Sequence, residues 1–118
     1  MGTLILKKTK TMKTPEFNKV VERRIELIKS SLTSKQKEYS KDNDKLHHFN
    51  IGSKITSKPR EQVLWGMALK HLISVIDIID NINELPSESL LEEKVGDMIN
   101  YLILLEASVK DKITKENE

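Results

Sequence analysis

The sequence predicts an all-α protein: an antiparallel helical bundle of three long helices plus a short helix or loop segment, completed by oligomerisation. Leu, Ile and Val dominate the apolar set, while aromatic residues make up only 4 % of the chain, a balance that suits helix packing better than sheets. Three long stretches carry apolar residues at helical spacing, each entered through a recognisable start signal. The second and third are apolar on more of their surface than a three-helix monomer can cover. Either the first helix and the 40–58 segment cover both, or a second subunit does; a dimer is the expectation. A chain of 118 residues is one domain, large enough to bury a core of its own.

Residues 1–13 are basic and Thr-rich and form an N-terminal arm to which no function is assigned. Thr14-Pro15-Glu16 reads as a helix start, with a hydroxyl cap, Pro in the first turn and an acid favoured by the dipole. Its apolar face is Phe17, Val21, Ile25, Ile28, Leu32 and, if the helix runs on, Tyr39, with Glu38 at the edge. Leu46, Phe49 and Ile55 are the anchors of a short helix or ordered loop within the polar 40–58 segment. Pro59 opens the second long helix, capped from Ser57 or Lys58, and a turn containing Pro86 leads to the third, capped by Ser87. The all-α domain spans 14–113, and 114–118 is a frayed tail.

Two polar seams run through these otherwise apolar helices. Lys70, Ser74, Asp77 and Asn81 share one narrow face at about 100° per residue, opposite Leu72, Val75, Ile76, Ile79 and Ile82. Glu93, Asp97 and Asn100 make a similar face on the third helix, opposite Leu91, Val95, Met98, Leu102 and Val109. Seams set between apolar walls are expected to face a protected cleft, and buried carboxylates are costly unless paired or bound to a metal. Glu93 and Asp97 at i, i+4 can reach one ion, Asp77 supplies a third ligand and Glu38 a fourth. Oxygen ligands of this kind favour Mg²⁺ or Mn²⁺. The competing reading closes the seams with salt bridges, Asp77 to Lys70 or Glu93 to a lysine.

Charge and composition narrow the function. Residues 1–60 carry a balance of +9 and residues 61–118 one of −7, within a net charge of +2; a basic half facing an acidic half suits a metal–triphosphate ligand, or attracts within the fold. With no cysteine there is no disulfide scaffold, thiol nucleophile or Cys-based zinc site. His47 and His48 are adjacent and diverge on a helix, so a zinc site is not expected. The lysines between Lys35 and Lys58 lack a phosphate-loop or recognition-helix pattern, and nucleic-acid binding is not expected. Trp65 and Met67 read more readily as core than as a base-stacking platform. Leu4-Ile5-Leu6 is too short for a signal peptide, and the tract Met98 to Leu105 is too short for a membrane span. A soluble, cytoplasmic protein without membrane association is expected.

Several strings carry a resemblance: Lys37-Glu38-Tyr39, Asp44-Lys45-Leu46-His47-His48-Phe49-Asn50, Leu64-Trp65-Gly66-Met67 with Lys70-His71, Glu93-Lys94-Val95-Gly96-Asp97, and Asn100-Tyr101-Leu102. Together, across about residues 15–112, they resemble a family of small bacteriophage proteins that is in turn similar to the MazG-like, all-α nucleoside triphosphate pyrophosphohydrolases. The resemblance implies a homodimer or homotetramer in the host cytoplasm that binds Mg²⁺ (or Mn²⁺) between helices and cleaves a nucleoside triphosphate to monophosphate and pyrophosphate. It maps a Glu, three residues, Asp motif onto Glu93 and Asp97 and an acidic–Tyr pair onto Glu38 and Tyr39; with the seam residues, the expected site has metal ligands at Asp77, Glu93 and Asp97, catalytic roles for Glu38 and Lys70, and nucleotide contacts from Tyr39, Lys45, His47, Trp65 and Asn100. The chain departs from the wider superfamily on the second long helix, where Lys70 and His71 stand near the position of an acidic pair. Lys70 then contacts a phosphate, or the site binds nucleotide without cleaving it. A third reading is a host-interaction protein whose exposed apolar helix surface binds a partner.

Overall fold

A computed structural model describes residues 11–34 and 44–117, and the elements within them are four helices: α1 (Thr14–Ser34), α2 (His47–Thr56), α3 (Arg60–Asp80) and α4 (Glu88–Glu116). The all-α prediction holds. α3 and α4 form the central antiparallel hairpin, α2 packs on α3, and α1 packs on α4. Residues 35–43, with the predicted extension of the first helix and with Glu38 and Tyr39, lie outside the described residues.

Each helix end has a local cause. At α1, the backbone N–H of Lys13 donates to Glu16 Oε2 at 3.2 Å, so Glu16 reaches back to the residue before the helix. That is one half of a capping box, made by the acid and not by a Thr14 hydroxyl. Asp44 starts α2: one carboxylate oxygen accepts from Leu46 N at 2.9 Å and the other from Asn50 Nδ2 at 3.0 Å. The helix stops at Ser57, which adopts the left-handed conformation with φ 58°. Pro59 stands immediately before α3, its extended ψ of 143° suiting the N-terminus, and its carbonyl accepts from Gln62 N and Val63 N. Ser87 caps α4 as predicted, its Oγ accepting from Leu90 N at 3.1 Å. The helix runs to Glu116, past the predicted end at Ile113.

The core sits where α2, α3 and α4 meet: Leu46 and Phe49, Leu64 and Ala68, Tyr101 and Leu104 are buried, with Met98 and Leu105 packed against them. Gly52 lets α2 approach α3 closely, because a Cβ there would stand 2.6 Å from Val63 Cγ1. Leu46 and Phe49 are anchors as expected, but Ile55 is 78 % exposed and anchors nothing.

The walls expected to flank the seams are largely open. Ile76 and Ile79 on α3, Ile82 in the turn after it, and Leu91, Leu102 and Val109 on α4 are exposed, as are Phe17, Val21 and Ile25 on α1. By length and composition α3 is apolar enough to cross a membrane, although most of it is uncovered in this single chain.

Candidate functional site

The antiparallel packing of α3 on α4 brings together residues far apart in sequence. Tyr101, buried on α4, is the meeting point. The ring of Phe49 from α2 lies edge-on to it, with centroids 6.3 Å apart, and the imidazole of His71 from α3 lies over it at 4.9 Å, tilted by 31°. One turn before Tyr101, Asp97 faces the same imidazole, with Oδ2 3.5 Å from His71 Nδ1. The His71 side chain is largely covered (17 % exposed), and the Asp97 carboxylate is more open (37 %). Four of the resemblance-bearing stretches thus converge at one place, around residues 49, 71, 97 and 101. Asn100 lies on the same part of α4, and its Oδ1 is buried without a hydrogen-bond partner among the described residues.

The rest of the predicted acidic set is placed differently. Glu93 pairs with its neighbour Lys94 at 3.2 Å and is exposed, the lysine pairing weighed above as the competing reading. Asp77 is exposed and opens onto a depression of about 310 Å³ shared with Ser74, Asn81, Leu90 and Lys94. Two members of its seam are used by their own helix: Ser74 Oγ donates to Lys70 O at 3.1 Å, and Asn81 Nδ2 donates to Asp77 O at 2.9 Å, closing the end of α3. The seam therefore lies at the surface of the single chain, and not in a cleft closed within it. Among the described residues no three His, Asp or Glu side chains are grouped to hold a metal ion.

The remaining residues singled out in the sequence are spread out. Lys70 is exposed next to His71. Trp65, 41 % exposed, is a surface residue and not core. His47 is half-buried beside His48, with ring centroids 6.0 Å apart. Lys45 lines a depression of about 410 Å³ with Asp44, Asn50, Arg60, Asp111 and Lys115.

That second depression has a floor the sequence did not announce. Arg60 Nε donates to Ser108 Oγ at 2.7 Å, Nη2 to Ser108 O at 2.9 Å and to Asp111 Oδ2 at 3.2 Å, and Nη1 to Asn50 Oδ1 at 3.1 Å. Ser108 is fully buried and hydrogen-bonds Glu61, which also takes Lys112. Burial alone would push the Glu61 carboxyl up, but the bonds from Lys112 and Ser108 outweigh it and hold the group down at about 2. Lys115 and Arg60 hold Asp111 below its usual range as well. Through Asn50, and from there Asp44, the network pins the start of α2 to α3 and α4. No local signal reveals it, since Arg60 and Ser108 stand 48 residues apart.

Between α1 and α4 lies an apolar groove of about 740 Å³, walled by Phe17, Val21, Ile25, Leu91, Val95 and Ile99. One edge is closed by Arg23, whose Nε and Nη2 donate to the Glu92 carboxylate at 3.1 and 3.4 Å, and by Arg24, which donates to Glu92 O at 3.2 Å. Glu92 raises the pKa of Arg23 through that bond.

No family model, no curated protein and no solved structure matches this chain.

Proposed function

We propose that the chain is a metal-dependent nucleoside triphosphate pyrophosphohydrolase, phage-encoded, working as a homodimer or homotetramer. One observation supports the reading above the others: two stretches that carry the resemblance, Lys70-His71 and Glu93-to-Tyr101, meet through the His71–Asp97 pair. A site for triphosphate needs a carboxylate for the cation and a cation for the phosphate side by side. Asp97 is the candidate for the first, and the exposed Lys70, next in sequence to the His71 that Asp97 meets, is the candidate for the second.

The donor set fits in part. Glu93 stands one turn before Asp97, and its pairing with Lys94 is an exposed one of the kind worth less than about 1 kcal/mol. It can turn towards Asp97 at little cost. Asp77 lies six residues on from His71, about 9 Å along the helix axis, beside the separate depression it shares with Lys94. When bound, a divalent cation at Asp97 and Glu93 would polarise the phosphates and make a water acidic enough to attack. Lys70 would neutralise phosphate charge, with Lys45 and His47 contributing from the α2 side, and Glu38 would orient the water. Asn100, Tyr39 and Trp65 would contact the nucleotide.

The assembly is proposed on burial. Among the described residues six hydrophobic side chains are buried while twenty large ones are exposed, an imbalance a second copy would relieve. A bilayer is a poorer cover, because it would place Lys70 and Asp77 of α3 in hydrocarbon.

The test is to incubate the protein with a nucleotide panel and Mg²⁺ or Mn²⁺ and to measure monophosphate by chromatography. Turnover that Asp97→Ala abolishes supports the enzyme; no product from any nucleotide removes it. The thin carboxylate set favours a second reading, a non-catalytic nucleotide-binding protein. That protein would show ligand-dependent thermal stabilisation without product.

A further inference from the structure

We infer that the chain pairs with a second copy through the face of the α3–α4 hairpin turned away from α2, so that two hairpins close into a four-helix bundle around a two-fold axis. The inference gives a face to the assembly proposed above; it rests on that part of the reading and not on the nucleotide chemistry.

Both central helices carry a second apolar stripe beside the one that forms the core. On α3 it is Trp65, Leu69, Leu72, Ile76 and Ile79; on α4 it is Leu91, Val95, Met98, Leu102 and Leu105. Each recurs at alternating steps of four and three, the heptad spacing of helices that pack along a seam. The described residues leave both stripes open: Trp65, Leu69, Ile76 and Ile79 are 41–62 % exposed, and Leu91 and Leu102 are 41 % and 48 %. Each stripe lies about 80–110° round its helix from the core residues, Leu64 and Ala68 on α3 and Tyr101, Leu104 and Ser108 on α4, in the same rotational sense. Because the helices are antiparallel, that shared sense places both stripes on one face. Val63, which meets α2 at Gly52, is displaced in the opposite sense.

Contacts across the hairpin set the register of the stripes. Arg60 bonds Ser108, Glu61 bonds Lys112, and His71 meets Asp97 and Tyr101. Trp65 is then level with Leu105, Leu69 with Leu102, Leu72 with Met98, Ile76 with Val95 and Ile79 with Leu91. The area suits a dimer. At roughly 50 Å² of open apolar surface for each exposed side chain, and less for the half-buried ones, the face offers roughly 400 Å². An interface about 60–65 % apolar would then bury roughly 600–700 Å² per copy, within the range of stable pairs. The layers are also self-complementary. A two-fold axis through the Leu72–Met98 layer sets Trp65 and Leu105 against Ile79 and Leu91 of the partner subunit. It sets Leu69 and Leu102 against Ile76 and Val95 of the partner subunit. The aromatic end meets an aliphatic one, and leucines meet β-branched side chains, so that the layers interdigitate.

The test uses the full chain, its mass read by analytical ultracentrifugation across about 1–100 μM. The wild type should sediment at twice the mass of the 13.6 kDa chain. Leu69→Lys and Leu102→Lys place charge at positions open in the single chain, so each should keep its circular dichroism spectrum while associating at least about a hundredfold more weakly. Leu69→Gln is the milder variant if lysine prevents folding. Ile55→Lys, on α2, should remain dimeric. Ile76→Glu should dissociate alone, and an equimolar mixture with Leu69→Lys should regain the dimer mass, because the axis sets those positions against each other. A mixture that stays monomeric overturns the two-fold register. A wild-type dimer that neither lysine variant weakens means that the copies meet elsewhere; the inference falls and the assembly stands. A wild type monomeric throughout overturns both, and binding to phosphatidylcholine vesicles that Leu69→Lys removes would then assign the face to lipid. Nucleotide turnover is scored separately and decides none of these outcomes.

Discussion

Arg60 holds Ser108 twice, donating from Nε to the hydroxyl at 2.7 Å and from Nη2 to the backbone carbonyl at 2.9 Å. The fork of a guanidinium matches two acceptors in a way that an ammonium cannot. Because the Arg60 side chain is only 11 % exposed, losing these bonds strands charge away from water. Arg60→Lys should therefore destabilise the chain by about 2–4 kcal/mol, and Ser108→Val by about 2–3 kcal/mol. Urea unfolding followed by circular dichroism measures both. A change below about 0.5 kcal/mol for either would remove the network from the account of stability.

Acid should weaken the fold through Glu61. Its carboxyl is held at about 2 in the folded chain, below the ordinary value near 4.5 that it regains on unfolding. The folded state thus binds fewer protons, so the contribution is complete above about pH 4.5 and is lost as pH falls towards 2. Asp111 is lowered by Lys115 and Arg60 and acts in the same direction. Urea midpoints measured from neutral to acid pH should fall steeply across that window, and Glu61→Gln should flatten the fall while lowering stability at neutral pH.

Three glycines should answer alanine differently. At Gly52 the added carbon meets the branched Val63 side chain at 2.6 Å, which lies between two packed helices, so Gly52→Ala should cost about 1–3 kcal/mol. At Gly96 it meets Arg24 Nη1 at 2.7 Å, the far end of a flexible chain, and Gly96→Ala should stay within about 1 kcal/mol of wild type. At Gly66 nothing stands within 4 Å, so in a free single chain Gly66→Ala should stabilise by about 1 kcal/mol. A loss of stability at Gly66, measured with the oligomeric state by light scattering, would show that another copy packs on that face.

Ser57 ends α2 in a left-handed conformation with φ 58°, which costs a residue with a Cβ about 1–2 kcal/mol. Ser57→Gly should raise stability by about 0.5–1 kcal/mol. Thermal melts check it, and an unchanged or lowered midpoint would mean that glycine's extra freedom in the unfolded chain outweighs the relief.

The helices were legible because the period of apolar residues and the residues at their ends act locally. Ser87 before Glu88 and Pro59 before Arg60 each declare a start without tertiary help. The short α2 was legible through Leu46 and Phe49, but Ile55 belongs to the same apolar pattern and points outward, since a short helix has only one covered face. The polar seam of α3 was misread for a similar reason. Ser74 and Asn81 bond to carbonyls of their own helix, and in sequence such residues look the same as residues reaching across to another helix. Arg60, Ser108 and Glu61 left no local trace, because their contact depends on how α3 and α4 align. Of the site, Asp97 and its seam were visible as spacing. Its partner was not, because His71 lies off the seam and reaches Asp97 only through helix packing.

The attachment of α1 has a dynamic consequence. It touches α4 and no other described helix, across a loosely filled groove fastened at one rim by Arg23 and Arg24. The hairpin of α3 and α4, clamped to α2 by Arg60, does not depend on that contact. α1 should therefore detach as a unit while the other three helices stay folded. Its amide hydrogens should exchange with deuterated solvent well ahead of those in α3 and α4, and a protease should cut within it first.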